Sequence, residues 1–163
     1  MYLQTKREFI GNVKRLRKQF EGTKESPRSI YILNVKREAF TNKKARNNLT
    51  FPSEKYPPLV ENPRGFVYVG MTGLSVEERF AVHQTKKGKA CKIAKLGFLS
   101  DGSYSRVGKK LTATYGFKGV GWRDKKPEKL ESWVAWNFYK MGYWVWGSHH
   151  HEDEEFLGQS PFE

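Results

Sequence analysis

Apolar residues recur along this chain with two different periods, and the alternation between them lays out a small α+β fold. Thr5-x-x-Glu8 has the spacing of a capping box, and Phe9, Ile10, Val13, Leu16 and Phe20 follow at helical intervals as far as Gly22. An amphipathic helix is therefore predicted within residues 1–26, with Lys6, Arg7, Lys14, Arg15, Arg17 and Lys18 on its polar side. After Pro27, the run Ser29-Ile30-Tyr31-Ile32-Leu33-Asn34-Val35 has the content of a strand. Gly65 introduces a second run, Phe66-Val67-Tyr68-Val69-Gly70, suited to a central strand. Ser75-x-x-Glu78 is another capping box, and Val76, Phe80 and His83 share one face of the helix it opens. Asp124 and Pro127 announce a last helix, on which Leu130, Trp133, Val134, Trp136, Phe138 and Met141 supply a broad apolar surface. Met141-Gly142 stops that helix, and residues 143–146 read as a short closing strand.

Between these elements the pattern breaks down. Residues 36–64 carry Lys36, Arg37, Lys43, Lys44 and Arg46 and then Pro52, Pro57, Pro58 and Pro63, with no steady period. They read as a long basic insertion between the first two strands, either a loop that contacts a ligand or an unstructured one. Residues 84–126 are basic and glycine-spotted, with a short helix predicted near 107–114 and a strand near 117–122. The expected architecture is a single domain over 1–163. It has a small, about three-stranded antiparallel sheet flanked by helices, an extra N-terminal helix, and an acidic tail at 147–163.

Charge narrows the class of partner. The first 151 residues hold all 30 Lys and Arg against 12 of the 17 acids, a balance of +18; the other five acids lie in residues 152–163. A surplus of that size on one domain attracts polyanions and holds them by counterion release, so nucleic acid is the expected partner and a plain solubility charge the alternative. Aromatics at 15% supply enough apolar surface for a core and exclude wholesale disorder. The single cysteine, Cys91, cannot form an internal disulfide, no apolar run is long enough to span a bilayer, and the N-terminal segment is charged throughout. No membrane association and a cytoplasmic location are expected.

Hydrolysis of a phosphodiester needs a deprotonated water, a divalent cation held by at least one carboxylate, and cationic donors for the charge that builds on phosphorus. The chain offers such a set. Tyr31 and Tyr68 stand on successive strands, Arg79 and His83 lie one turn apart on one helix, and Glu131 sits in the apolar sequence Leu130-Glu131-Ser132-Trp133-Val134. A carboxylate facing inward there must pair or bind a cation, because a bare buried charge is prohibitively costly.

The order and spacing of these residues resemble the GIY-YIG nuclease superfamily over roughly residues 29–146. Ser29-Ile30-Tyr31 is similar to the first signature and Tyr68-Val69-Gly70 to the second. Gly70-Met71-Thr72-Gly73-Leu74-Ser75-Val76-Glu77-Glu78-Arg79-Phe80 continues, as these proteins do, into the helix that bears the essential arginine. His83, the basic run Lys86-Lys87-Gly88-Lys89, and Glu131 ahead of Gly142-Tyr143 resemble later features of the family. Two departures stand out: Ser29 replaces the first glycine, and the stretch between the signatures is far longer than in compact members. Insertions of that kind resemble the restriction endonucleases of the superfamily.

The resemblance implies a role for each residue. Tyr31 would be the general base or would position the attacking water, and Tyr68 would bind the scissile phosphate or assist as a base. Arg79 would stabilise charge on the pentavalent phosphorus; its structural alternative is a surface salt bridge. His83 would contact the phosphate or relay a proton from Tyr31, the alternative being a histidine that satisfies a local hydrogen bond. Glu131 would hold a single Mg²⁺ (or Mn²⁺), against a helix-start carboxylate favoured by the dipole. Lys43, Lys44, Arg46, Lys86, Lys87 and Lys89 are expected to contact DNA. The implied activity is that of a Mg²⁺-dependent, site-specific type II restriction endonuclease acting on double-stranded DNA as a homodimer. A phage, homing or repair nuclease and a non-catalytic DNA-binding module are the competing readings. His149, His150 and His151 are read as part of an exposed acidic tail, since three consecutive side chains do not converge easily on one metal.

Overall fold

Two apolar, aromatic-bearing segments make the first hairpin of the sheet: β1 (Ser29–Asn34) and β2 (Gly65–Thr72) pair antiparallel, with Tyr31 opposite Gly70 and Leu33 opposite Tyr68. The computed structural model describes residues 29–51, 60–73, 76–99 and 127–147, together with Thr5, Arg7, Glu8 and Gly11. A third strand, β3 (Tyr143–Gly147), joins the other edge of β2, giving the order β1-β2-β3. The sheet has the expected strand number, but it is mixed and not wholly antiparallel: β3 runs parallel to β2, with Tyr68 opposite Trp146. The connection explains the difference. The chain leaves β2 and returns through the long helix α4 (Pro127–Lys140), which packs on β2 and β3, and a helical crossover of this sort sets successive strands parallel.

Among the described residues, α1 (Lys43–Arg46), α2 (Val76–Gln84) and α3 (Lys92–Lys95) precede α4 as shorter helices. The start of the predicted N-terminal helix is present, with Arg7, Glu8 and Gly11 helical. Its capping box is formed in both directions: Thr5 N–H donates to Glu8 Oε2 at 2.7 Å and Glu8 N–H donates to Thr5 Oγ1 at 3.1 Å. The remainder of that helix, Ser75 of the second capping box, the elements predicted near 107–114 and 117–122, and the acidic tail with His149, His150 and His151 lie outside the described residues.

α4 is the main core helix. Trp133, Val134, Ala135, Phe138 and Tyr139 are all buried along it, as expected of a helix that is apolar around most of its circumference. It ends where Gly142 turns to φ 91°, the left-handed conformation that glycine adopts without penalty.

Alternation along the strands sorts the sheet into two faces. Ile30, Ile32, Val67, Val69 and Val145 occupy one; Tyr31, Leu33, Phe66, Tyr68, Trp144 and Trp146 occupy the other. The insertion folds onto the second face, so its described part is no loose loop. A 3-10 helix (Arg37–Thr41) leads into α1, whose N-terminus Asn42 caps by accepting from Ala45 N–H at 3.0 Å. Ala39, Ala45 and Leu49 are buried in a cluster with Val35, Ile93, Trp144 and Trp146. Trp146 Nε1–H donates to the Ala45 carbonyl at 2.7 Å and Trp144 Nε1–H to the Val60 carbonyl at 3.1 Å. Indole N–H groups thus tie the backbone of the insertion to β3, at Ala45 beside the bond that its carbonyl already accepts from Asn48 N–H at 3.1 Å. Among the described residues, no helix is long and apolar enough to cross a membrane.

Candidate functional site

The tyrosine-bearing face of the sheet, α2 and the turn after it bring the predicted residues together. β1 aims Tyr31 across β2, and Gly70 leaves room for it: a Cβ on Gly70 would collide with Tyr31 Cζ and Oη and lie 2.9 Å from Cε2. The glycine of the second signature therefore has a steric reason on this chain. Tyr31, Tyr68 and His83 form a three-ring cluster, with centroids 6.0 Å apart for the two phenols, 5.8 Å for Tyr31 and His83, and 5.6 Å for Tyr68 and His83.

One turn of α2 delivers two nitrogens to the same oxygen. Tyr31 Oη and His83 Nε2 are hydrogen-bonded at 2.8 Å, and Arg79 Nε–H donates to Tyr31 Oη over a longer 3.4 Å. The turn that follows α2 supports both side chains from behind. Arg79 Nη2 donates to the Lys89 carbonyl at 3.0 Å, and the Cys91 backbone N–H donates to His83 Nδ1 at 3.0 Å. Tyr31 and His83 are buried, while Tyr68 and Arg79 are half-buried. Glu131, at 9% exposure on α4, lies within electrostatic reach of Tyr68, whose proton it helps to retain. The two phenols, the imidazole and the guanidinium thus meet in one cluster, and the carboxylate reaches it electrostatically through Tyr68.

Burial sets the protonation of this cluster. It pushes Tyr31 up to about 12, opposed by the hydrogen bond and charge of Arg79. Tyr68 is raised further, first by burial and then by the neighbouring Tyr31, Cys91 and Glu131. The interaction between the phenols favours loss of the proton from Tyr31 before Tyr68. His83 is pushed down to about 4, by burial and secondarily by Arg79, so its imidazole is neutral at physiological pH. Burial also raises the Cys91 thiol, which stays protonated.

The donor set for a metal is narrow. Glu131 contributes one buried carboxylate, and among the described residues no group of three or more His, Cys, Asp or Glu could hold an ion alone. Mg²⁺ fits such a set, because it keeps several waters and is commonly held by one or two carboxylates together with substrate phosphate oxygens.

Lys43, Lys44 and Arg46 are exposed on α1, and Lys86, Lys87 and Lys89 on the turn after α2. Arg46 lies over the Trp144 ring, its guanidinium carbon 5.3 Å from the centroid. The two groups of cations flank one core: Val35 bridges to Leu99, Lys36 N–H donates to the Phe98 carbonyl at 2.6 Å, and Tyr68 and Cys91 pack at the margin of the cluster beneath α1. Lys92 and Lys95 of α3 add two exposed cations that the sequence reading did not single out. No sequence signal marks Cys91, which enters through its backbone N–H, a group every residue but proline carries, or Trp144 and Trp146 as anchors of the insertion. No protein-family profile, no curated protein and no solved structure matches this chain.

Proposed function

We propose that this chain is a Mg²⁺-dependent endonuclease that hydrolyses DNA phosphodiester bonds in the manner of the GIY-YIG nucleases, with site-specific restriction of double-stranded DNA by a cytoplasmic homodimer as its form. The observation that supports the reading is the cluster in which Arg79 and His83 are hydrogen-bonded to Tyr31 and Tyr68 packs against Tyr31 and His83, with Glu131 within electrostatic reach of Tyr68.

Each group has work suited to its chemistry. Tyr31, the phenol that loses its proton first, accepts a proton from the attacking water or orients it. Arg79 presents its remaining guanidinium donors to the phosphate as negative charge develops. Tyr68, held neutral, donates a hydrogen bond to a phosphate oxygen. Glu131 would hold Mg²⁺, which when bound supplies Lewis-acid neutralisation of the phosphate and leaving oxygens. The cations of α1 and of the turn after α2 position the duplex through its backbone, the sequence-independent share of affinity.

The experiment is cleavage of supercoiled plasmid by purified protein with Mg²⁺, beside Arg79→Ala and Glu131→Ala. Nicked and linear products are expected with wild type and a loss of about a hundredfold or more with either variant. An inert wild type, or variants as active as wild type, would overturn the assignment.

A further inference from the structure

We infer that the Cys91 backbone N–H makes His83 a hydrogen-bond donor to Tyr31, so that His83 positions the phenol and is not the acceptor of its proton. A peptide N–H can only donate. Because it reaches His83 Nδ1 at 3.0 Å, that nitrogen presents a lone pair. The buried imidazole is neutral and carries one hydrogen, which is therefore on Nε2, and Nε2 is the atom 2.8 Å from Tyr31 Oη. Arg79 Nε–H points at the same oxygen. Two N–H donors directed at Oη send the phenol's own hydrogen elsewhere and work against the burial that holds Tyr31 neutral.

The arrangement depends on the turn between α2 and α3. Lys86 at φ 58° and Gly88 at φ 57° reverse the chain after α2, and Cys91, extended at φ −68° and ψ 159°, then enters α3 with its N–H facing back to His83. Two residues earlier, the Lys89 carbonyl accepts from Arg79. One short stretch of backbone, 89–91, thus orients both donors on Tyr31. The run Lys86-Lys87-Gly88-Lys89 is a positioning device as well as a source of positive charge. The consequence for hydrolysis rests on the nuclease reading above; the tautomer of His83 does not.

The test has two arms. In the full chain labelled with [¹⁵N]histidine, a long-range ¹H–¹⁵N correlation spectrum at neutral pH, with His83 assigned by its loss in His83→Gln, is expected to show Nε2 protonated and Nδ1 bare. A protonated Nδ1 overturns the inference. In plasmid cleavage with Mg²⁺, His83→Gln, whose amide can donate but has no basic nitrogen, is expected to stay within about tenfold of wild type, while His83→Ala falls about a hundredfold. Equal losses in two folded variants would mean that a basic nitrogen is required, and the donor role would fall. Should wild type cleave nothing, the nuclease reading fails alone and the spectrum still decides the tautomer.

Discussion

Tyr31 lies across Gly70: the two residues face one another in the β1–β2 ladder, and the phenol of one fills the space where a side chain on the other would be. The position of the candidate base is thus fixed by what Gly70 lacks. Gly70→Ala is expected to displace the ring, cost about 1–3 kcal/mol through overpacking, and reduce cleavage about a hundredfold, since a shift near 1 Å at a reacting group has that effect. Thermal melting and plasmid cleavage measure the two separately. Full activity in the Ala variant would show that Tyr31 needs no fixed position.

The two phenols are expected to behave differently. Tyr31 is held at about 12 and Tyr68 higher, both by burial, with Arg79 drawing only Tyr31 back down. Tyr31→Phe should lose about a thousandfold in rate and Tyr68→Phe less. If ionised Tyr31 is the working form, the wild-type rate climbs about tenfold per pH unit between roughly pH 7 and 9, because the deprotonated fraction grows in that proportion below the pKa. A flat profile would remove the ionisation of Tyr31 from the rate-limiting step.

The parts of this fold that the sequence announces are those where a local pattern and a tertiary role coincide. Thr5 and Glu8 predict a capping box because its two hydrogen bonds span three residues, and both are formed. The broad apolar surface of α4 likewise survives into a buried helix. The direction of β3 was illegible, because five residues such as Tyr143–Gly147 read alike in either orientation and only the crossover decides. The insertion misled for a related reason. Its two short helices have no repeat long enough to show a period, and its order comes from Trp144 and Trp146, about a hundred residues away. In the cluster, Tyr31, Tyr68, Arg79 and His83 were legible as residue types in order, whereas the Cys91 N–H and Lys89 carbonyl that orient His83 and Arg79 are backbone groups with no signature.

His83 predicts how stability varies with acid. Its folded pKa of about 4 lies below the ordinary 6.5, so the unfolded chain binds more protons between those values. The contribution is complete above about pH 6.5 and is lost as the pH falls toward about 4, by about 3 kcal/mol in all. Denaturant unfolding of wild type and His83→Gln across that window should show the wild type losing more by this order. Parallel curves would mean that the folded imidazole titrates like a solvated one.

Trp146 is expected to hold the insertion to the sheet. Its indole is 1% exposed and donates to the Ala45 carbonyl at 2.7 Å. Trp146→Phe keeps an aromatic ring but removes the indole donor from a carbonyl that retains only its bonds within the insertion, at a cost of about 0.5–1.5 kcal/mol. Hydrogen exchange should quicken at residues 43–49 ahead of β1 and β2. Uniform change across the sheet and the insertion would show that the two open as one unit.

The cations of α1 give the last prediction. Lys43, Lys44 and Arg46 are exposed within a segment, 37–46, whose one acid is Glu38, and α1 is anchored through the buried Ala45. Cations on an anchored helix can meet phosphates in a fixed register, whereas a flexible basic loop adds affinity without one. Each phosphate contact contributes about −0.9 to the slope of log K against log salt concentration. Lys43→Ala, Lys44→Ala and Arg46→Ala combined should therefore flatten the slope by about 2–3 for a labelled duplex measured without Mg²⁺, so that cleavage does not intervene. Melting must be followed in parallel, because Arg46 also lies over the Trp144 ring and its loss removes that contact. A slope unchanged from wild type, with the fold intact, would place the duplex away from α1 and leave Lys86, Lys87 and Lys89 as the contacts to examine next.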